Sequence, residues 1–219
     1  MDLNREIKQL DALGDEIAGA GRELMAQCDG SIFPCDALAF TVLARSLNLI
    51  RGFGLLIEGS SYECAASIFR LQLDNVLRLF GVVTCNDPHG IADQVLSGTA
   101  LRKIAHSTGP KMTDTFLVDL LSKNNQWLPN AYAVASGFVH LSEQHFQHML
   151  MQSVASPDGS REFRISDEDG HIHEDQKRTL IHMFSSVSRG ATGLVKQWAS
   201  TRGNFESTEQ LKARFSNVA

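Results

Sequence analysis

The stretch that decides the fold is ECAASIFRLQLDNVLRLFGVV, Glu63–Val83. A helix turns about 100° per residue, so Glu63, Ser67, Arg70, Asp74 and Arg78 fall within roughly 80° of one another. Most of the remaining circumference is Ile, Leu, Phe, Val, Ala and Cys, with Gln72 and Asn75 as the exceptions. A helix on the surface of a globular protein carries a wider polar face than this. The spacing therefore predicts a helix that is buried nearly all round. Its narrow charged stripe belongs at the floor of a groove, or between helices where the charges pair.

Outward from this helix the chain reads as helix almost throughout. Upstream, GSS ends a long second helix from about Cys35 to Glu58 and caps the third. Before that, Leu3, Ile7, Leu10, Gly14, Ile17, Gly21, Leu24 and Cys28 recur at helical spacing, with the two glycines suited to close helix approach. Downstream, CNDPHG and STGP punctuate short helices near 91–96 and 113–122. A further helix starts at Pro129 and runs to about His148. Pro157-Asp158-Gly159 between two β-leaning runs signals a hairpin. The last long helix carries Leu180, Phe184, Val187, Ala191, Leu194 and Trp198 at alternating steps of four and three, and STEQLKARF adds a short terminal one. The expected fold is an all-α helical bundle in a single domain, 1–219. It has a small β-hairpin insertion around 147–166 and a long C-terminal helix around 174–200.

Composition agrees with a globular chain: 43% of its 219 residues are hydrophobic and 21% charged. A formal charge of −5 argues against broad electrostatic capture of nucleic acid and leaves room for a local basic groove. No run is expected to reach the length of a membrane span, and MDLNREIKQL lacks the apolar core of a secretory leader. The expectation is a cytoplasmic protein with no membrane association. Cys28, Cys35, Cys64 and Cys85 lack CxxC spacing and read as buried, reduced thiols. The glycine-spaced first helix and the heptad-like last one both have faces a second subunit could cover, so a homodimer is expected; the alternative is that both faces pack within one chain.

The polar line recurs on other helices. Thr41, Arg45, Asn48 and Gly52 share one face of the second helix. Tyr132, Ser136, His140, Glu143 and Gln147 do the same after Pro129. Three such lines can converge on one seam, in which Arg70 and Arg78 flank Asp74. The alternative is an exposed ion ladder within one helix, worth a few tenths of a kcal/mol per pair. In RKIAHS, Arg102 and His106 stand four residues apart in a segment that leads into a turn. SDEDGHIHED offers Asp167, Asp169, His171, His173 and Asp175, but in no spacing typical of calcium or zinc, so a solvated acidic turn is expected and no metal or other cofactor. No Walker loop, dinucleotide fingerprint, GxSxG or HExxH occurs.

Two segments, RLQLDNVLRLF (70–80) and SGFVHLSEQH (136–145), resemble motifs of bacterial helical proteins distantly like the HEPN superfamily. The likeness covers about a tenth of the chain. It implies a helical bundle, usually dimeric. It further implies a metal-independent ribonuclease or RNA-binding component of a toxin–antitoxin or phage-defence system, or a non-catalytic partner or antitoxin-like assembly module. This chain departs from the catalytic pattern, because no arginine precedes His140 at the expected spacing. On the ribonuclease reading His140 is the base that activates a 2′-hydroxyl, Arg70 stabilises the phosphorane and Asp74 orients Arg70. Arg45, Asn48, Arg78, Ser136 and His145 complete the candidate site as binding residues. The partner is then RNA or another protein.

Overall fold

A computed structural model describes residues 3–163, 165–167 and 169–215. Its frame is four long helices: α1 (Leu3–Gln27), α2 (Pro34–Glu58), α3 (Tyr62–Val83) and α8 (Glu174–Thr201). They pack in a ring, α1 on α2, α2 on α3, α3 on α8 and α8 on α1. Apolar residues at steps of three and four fill the centre. Leu13 and Leu24, Phe53, Leu73 and Leu77, and Phe184 and Trp198 are all fully buried there, and the Phe53 and Phe184 rings stack at 4.0 Å.

A second layer covers the outer side of α3. It holds α5 (Asp114–Ser122) and α6 (Leu128–Val139), with α7 (Glu143–Met151) beyond α6. On the other side α4 (Pro88–Leu96) rests on α2, and α9 (Thr208–Phe215) closes the described chain. Thus α3 has helices on both sides, which is why its apolar surface runs nearly all the way round. The only sheet among the described residues is the hairpin β1 (Val154–Ala155) and β2 (Arg161–Glu162), turning at Gly159 with φ +83°. Arg164, inside the span expected for the hairpin, lies outside the described residues.

Several boundaries differ from expectation, each for a local reason. The helix expected from Pro129 to His148 is two helices. The chain leaves helical geometry at His140 (φ −117°, ψ 144°), and the Ser142 hydroxyl accepts the Gln144 N–H at 3.2 Å to start α7. That leaves the hairpin only two residues per strand, after α7 has used 143–151. GSS does separate α2 from α3, with Ser60 at φ +52°, but no serine hydroxyl caps α3. The carboxylate of Asp169 accepts the Tyr62 N–H instead.

Asp169 is itself buried and paired with Lys177 at 2.8 Å, so this part of the acidic turn is a structural clamp rather than a solvated loop. No group of three or more His, Cys, Asp or Glu among the described residues is placed to hold a metal ion. Of the cysteines, Cys28, Cys35 and Cys85 are buried and free, whereas Cys64 is exposed.

By length and hydropathy α2 does reach the size of a membrane span, contrary to the expectation from sequence. Here its apolar face packs against α1, α3, α4 and α8. The glycine-spaced face of α1 is used within the chain as well. Ideal Cβ positions at Gly14 and Gly21 lie 3.8 Å and 3.5 Å from Leu47 and Leu43 of α2.

Candidate anion-binding groove

The stripe on α3 meets its partners where α2, α5 and α6 close around it. Asp74 lies at the centre. One of its oxygens takes Arg78 Nε at 3.0 Å from one turn away on α3, and the other takes Arg45 Nη1 at 3.2 Å from α2. Arg45 Nη1 also donates to Asn75 Oδ1 at 2.7 Å. Asp114, in the first turn of α5, is the second acidic centre. It accepts Arg78 Nη2 at 2.6 Å and Arg70 Nη2 at 2.9 Å, and Tyr132 of α6 donates its hydroxyl to it at 2.7 Å.

Arg70 also donates through Nε to Ser136 Oγ at 3.1 Å and through Nη2 to the Tyr132 hydroxyl, and its guanidinium stacks 4.2 Å over the Tyr132 ring. The stripe is therefore a seam between helices and not an exposed ladder. Local chemistry prepares each part. Thr113 accepts the Phe116 N–H to cap α5, which places Asp114 in the first turn where a carboxylate is favoured.

Asp114 titrates below the ordinary carboxylate range. Desolvation pushes its carboxyl up, but the Tyr132 hydroxyl together with the Arg78 and Arg70 guanidiniums outweighs it. Burial and the hydrogen bond to Asp114 raise the Tyr132 phenol. Gln72 and Asn75, the polar exceptions in the opening stretch, are fully paired. Both donate to Ser46 Oγ of α2, at 3.1 and 3.2 Å, and Asn75 donates to Gln72 at 3.0 Å.

The seam opens on one side into a groove of about 520 Å³. Arg45, Arg78 and Arg102 line it, with Thr41, Thr99 and Asn75 among the polar groups, and no carboxylate does. Arg102 sits in the 3-10 turn Leu101–Lys103 after α4, is exposed and makes no ion pair among the described residues. Among the described residues, Arg45 Nε and Nη2 and Arg78 Nη1 make no hydrogen bond, while their other donors are held by Asp74, Asn75 and Asp114. Two carboxylates thus fix two of the guanidiniums that line a groove with surplus positive charge. Such preset forks suit a phosphate or another planar or tetrahedral oxyanion.

Of the residues singled out from sequence, the structure brings Arg45, Arg70, Asp74, Arg78 and Ser136 into one cluster. Arg70 is its most enclosed cation, with 13% of its side chain exposed against 40% for Arg45. Asn48 stands outside, exposed and bonded to Ala44 O at 3.0 Å. His140 is exposed at the end of α6 and makes no hydrogen bond or ion pair with the cluster. His145 belongs elsewhere too: its Nδ1 accepts the Ser142 N–H at 3.3 Å, and its Nε2 lies 4.0 Å from Glu63.

Asp114 and Tyr132 complete the cluster. The sequence marks Tyr132 only as part of a polar line and gives no comparable pattern for Asp114. The one signal for Asp114 was its place after Thr113, at a helix start. Arg102 was noticed for its spacing to His106, but the two do not act together. His106 is buried, 3.2 Å from Thr84 Oγ1 and 2.9 Å from Thr108 Oγ1. Compared with models of protein families, with curated proteins and with solved structures, the chain matches none.

Proposed function

We propose that this protein is a helical binding module that holds phosphate groups of RNA in the groove between α2, α3 and the turn after α4. The observation that carries the reading is the groove itself: three arginines line it without a carboxylate, in a chain of net charge −5. Local surplus against a global deficit is the pattern of a site that selects an anion by position rather than by bulk attraction. The internal pairs to Asp74 and Asp114 hold Arg45 and Arg78 in place beforehand, which lowers the entropy lost on binding.

The HEPN resemblance supports RNA as the source of the phosphate. It also supports a ribonuclease in a defence or toxin–antitoxin setting, as a second reading. That reading draws on α6, which meets the arginine cluster through Ser136 one turn before His140. It requires His140 to act on an RNA strand that leaves the groove toward α6.

The test is binding of a fluorescently labelled single-stranded RNA by anisotropy in excess EDTA, at several salt concentrations. The expected result is an affinity that falls with salt and drops about tenfold or more in the double variant Arg45→Ala, Arg102→Ala, since each lost phosphate contact weakens binding and its salt slope. Equal binding by the variant, or none at low salt, removes the proposal. Titration with a mononucleotide distinguishes a small phosphate ligand from a strand. A gel of the same mixtures reads cleavage, and cleavage that His140→Ala abolishes makes the protein the nuclease.

A further inference from the structure

The groove between α2, α3 and the turn after α4 carries more positive charge than an internal RNA phosphate can balance. Arg45, Arg70 and Arg78 are gathered by two carboxylates, Asp74 and Asp114. Arg102 lines the same groove as Arg45 and Arg78, exposed and outside any ion pair among the described residues. Four guanidiniums against two carboxylates leave this cluster with a surplus of two positive charges. A phosphodiester within a strand carries one negative charge. A phosphate monoester at a strand's end carries close to two at pH 7, because its second pKa lies near about 6.

The spacing of the cations agrees with the charge. Arg45 and Arg78 grip the two oxygens of one carboxylate, Asp74, at 3.2 and 3.0 Å. Guanidiniums that share a carboxylate stand side by side, so they bracket one phosphate group rather than a run of them. At about 520 Å³ the groove has the size of a small-molecule site and not of a long track. Val42, Val82 and Leu101 form its buried inner wall. No aromatic side chain among the described residues lines it, so a strand finds no platform there on which to stack its bases. Recognition then rests on the phosphate and ignores base sequence.

We infer that the groove takes a terminal phosphate monoester, at the end of an RNA strand or on a free nucleotide, in preference to an internal phosphodiester. This rests on the reading of the groove as a phosphate site and narrows its ligand to a dianion. Arg45 and Arg78 are the fixed half of the site. Arg102 makes the distinction: without it the surplus falls to one, which an internal phosphate balances as well as a terminal one.

The test is anisotropy of the full chain with one internally labelled single-stranded RNA, in excess EDTA at fixed salt. The RNA is prepared with a 5′-phosphate, with a 3′-phosphate, or with hydroxyls at both ends. The expected result is that a phosphate-ended form binds about tenfold tighter than the hydroxyl form. A nucleoside monophosphate displaces it and the bare nucleoside does not. Arg102→Ala should shrink the difference to about threefold or less, with an unchanged far-UV spectrum because the side chain is exposed. Arg51→Ala, at an exposed arginine of α2 on the α1 side, should leave the difference intact. Equal affinity for all three forms overturns the inference, and if Arg45→Ala, Arg102→Ala still abolishes that binding the RNA groove itself stands. A preference for the phosphate end that Arg102→Ala does not reduce also overturns it. Binding of the nucleoside monophosphate without binding of any RNA supports the phosphate monoester and makes its source a free nucleotide, so that only the RNA reading falls. Binding of none of the probes removes both.

Discussion

Two aspartates in this molecule show how burial sets the worth of an ion pair. Asp36 of α2 is fully enclosed. It accepts both Arg202 Nε at 3.0 Å and Nη2 at 2.7 Å, together with Trp198 Nε1 at 2.9 Å and the Phe33 N–H at 3.0 Å. Removing it leaves the buried Trp198 indole N–H unpaired and the part-buried Arg202 guanidinium with only the Gln27 and Ser31 carbonyls, so Asp36→Ala should cost about 3–5 kcal/mol in a denaturant melt. Asp74 is 23% exposed, and its arginines keep second partners in Asn75 and Asp114. Asp74→Ala should therefore cost only about 1–2 kcal/mol, more than an exposed ladder and less than a buried pair. Equal losses in the two variants would refute this ordering.

At the scale of elements, the closeness of α3 to α5 is what brings Asp114 to the arginines. Gly81 permits it: an ideal Cβ there would lie 2.8 Å from Leu117 Cδ2, and Leu117 is fully buried. Gly81→Val should push α5 outward and cost about 1–3 kcal/mol by overpacking. Because the shift also moves Asp114, RNA affinity should fall with it. Gly193 on the exposed side of α8 has open space at the Cβ position. There Gly193→Ala should gain about 0.5–1 kcal/mol from helix propensity alone. Thermal melts of the two variants moving in the same direction would contradict this account of the helix contacts.

Across the whole molecule, buried histidines tie stability to pH. His89 is fully enclosed, and its Nδ1 accepts the Cys35 N–H at 3.3 Å, which leaves the neutral ring its proton on Nε2. Desolvation lowers its pKa, and desolvation lowers those of His106 and His171 as well. The unfolded chain takes up these protons near about pH 6.5 while the fold resists them, so stability falls as pH drops through that value. The fall continues until the folded pKa values are reached. Asp87 and Asp114, both held below the carboxylate range, act in a lower window. Hydrogen bonding to Arg214 lowers Asp87, and their stabilisation is lost below about pH 4 as the folded carboxylates protonate. The melting temperature should decline from pH 7.5 to 5.5, and His89→Asn should flatten that decline even if it lowers the starting value. A flat profile in the parent protein would contradict it.

Helical class, the order of the four long helices, the hairpin turn and the narrowness of the polar stripe on α3 were all legible in the sequence. Each follows from local periodicity, capping residues or turn chemistry, which act over a few positions. Arg45, Arg70, Asp74, Arg78 and Ser136 could be named for the same reason, since a charge on an otherwise apolar helix must find a partner. Which partner it finds was not legible. Arg70 meets Asp114 and Tyr132 from 44 and 62 residues away, and Asp36 meets Arg202 across 166. His140, on the same polar line as Ser136, is carried off it because the helix ends there. Those pairings depend on which helix lies over which, and that is set by the packing of the whole core, where close fit of many apolar side chains decides the crossing geometry.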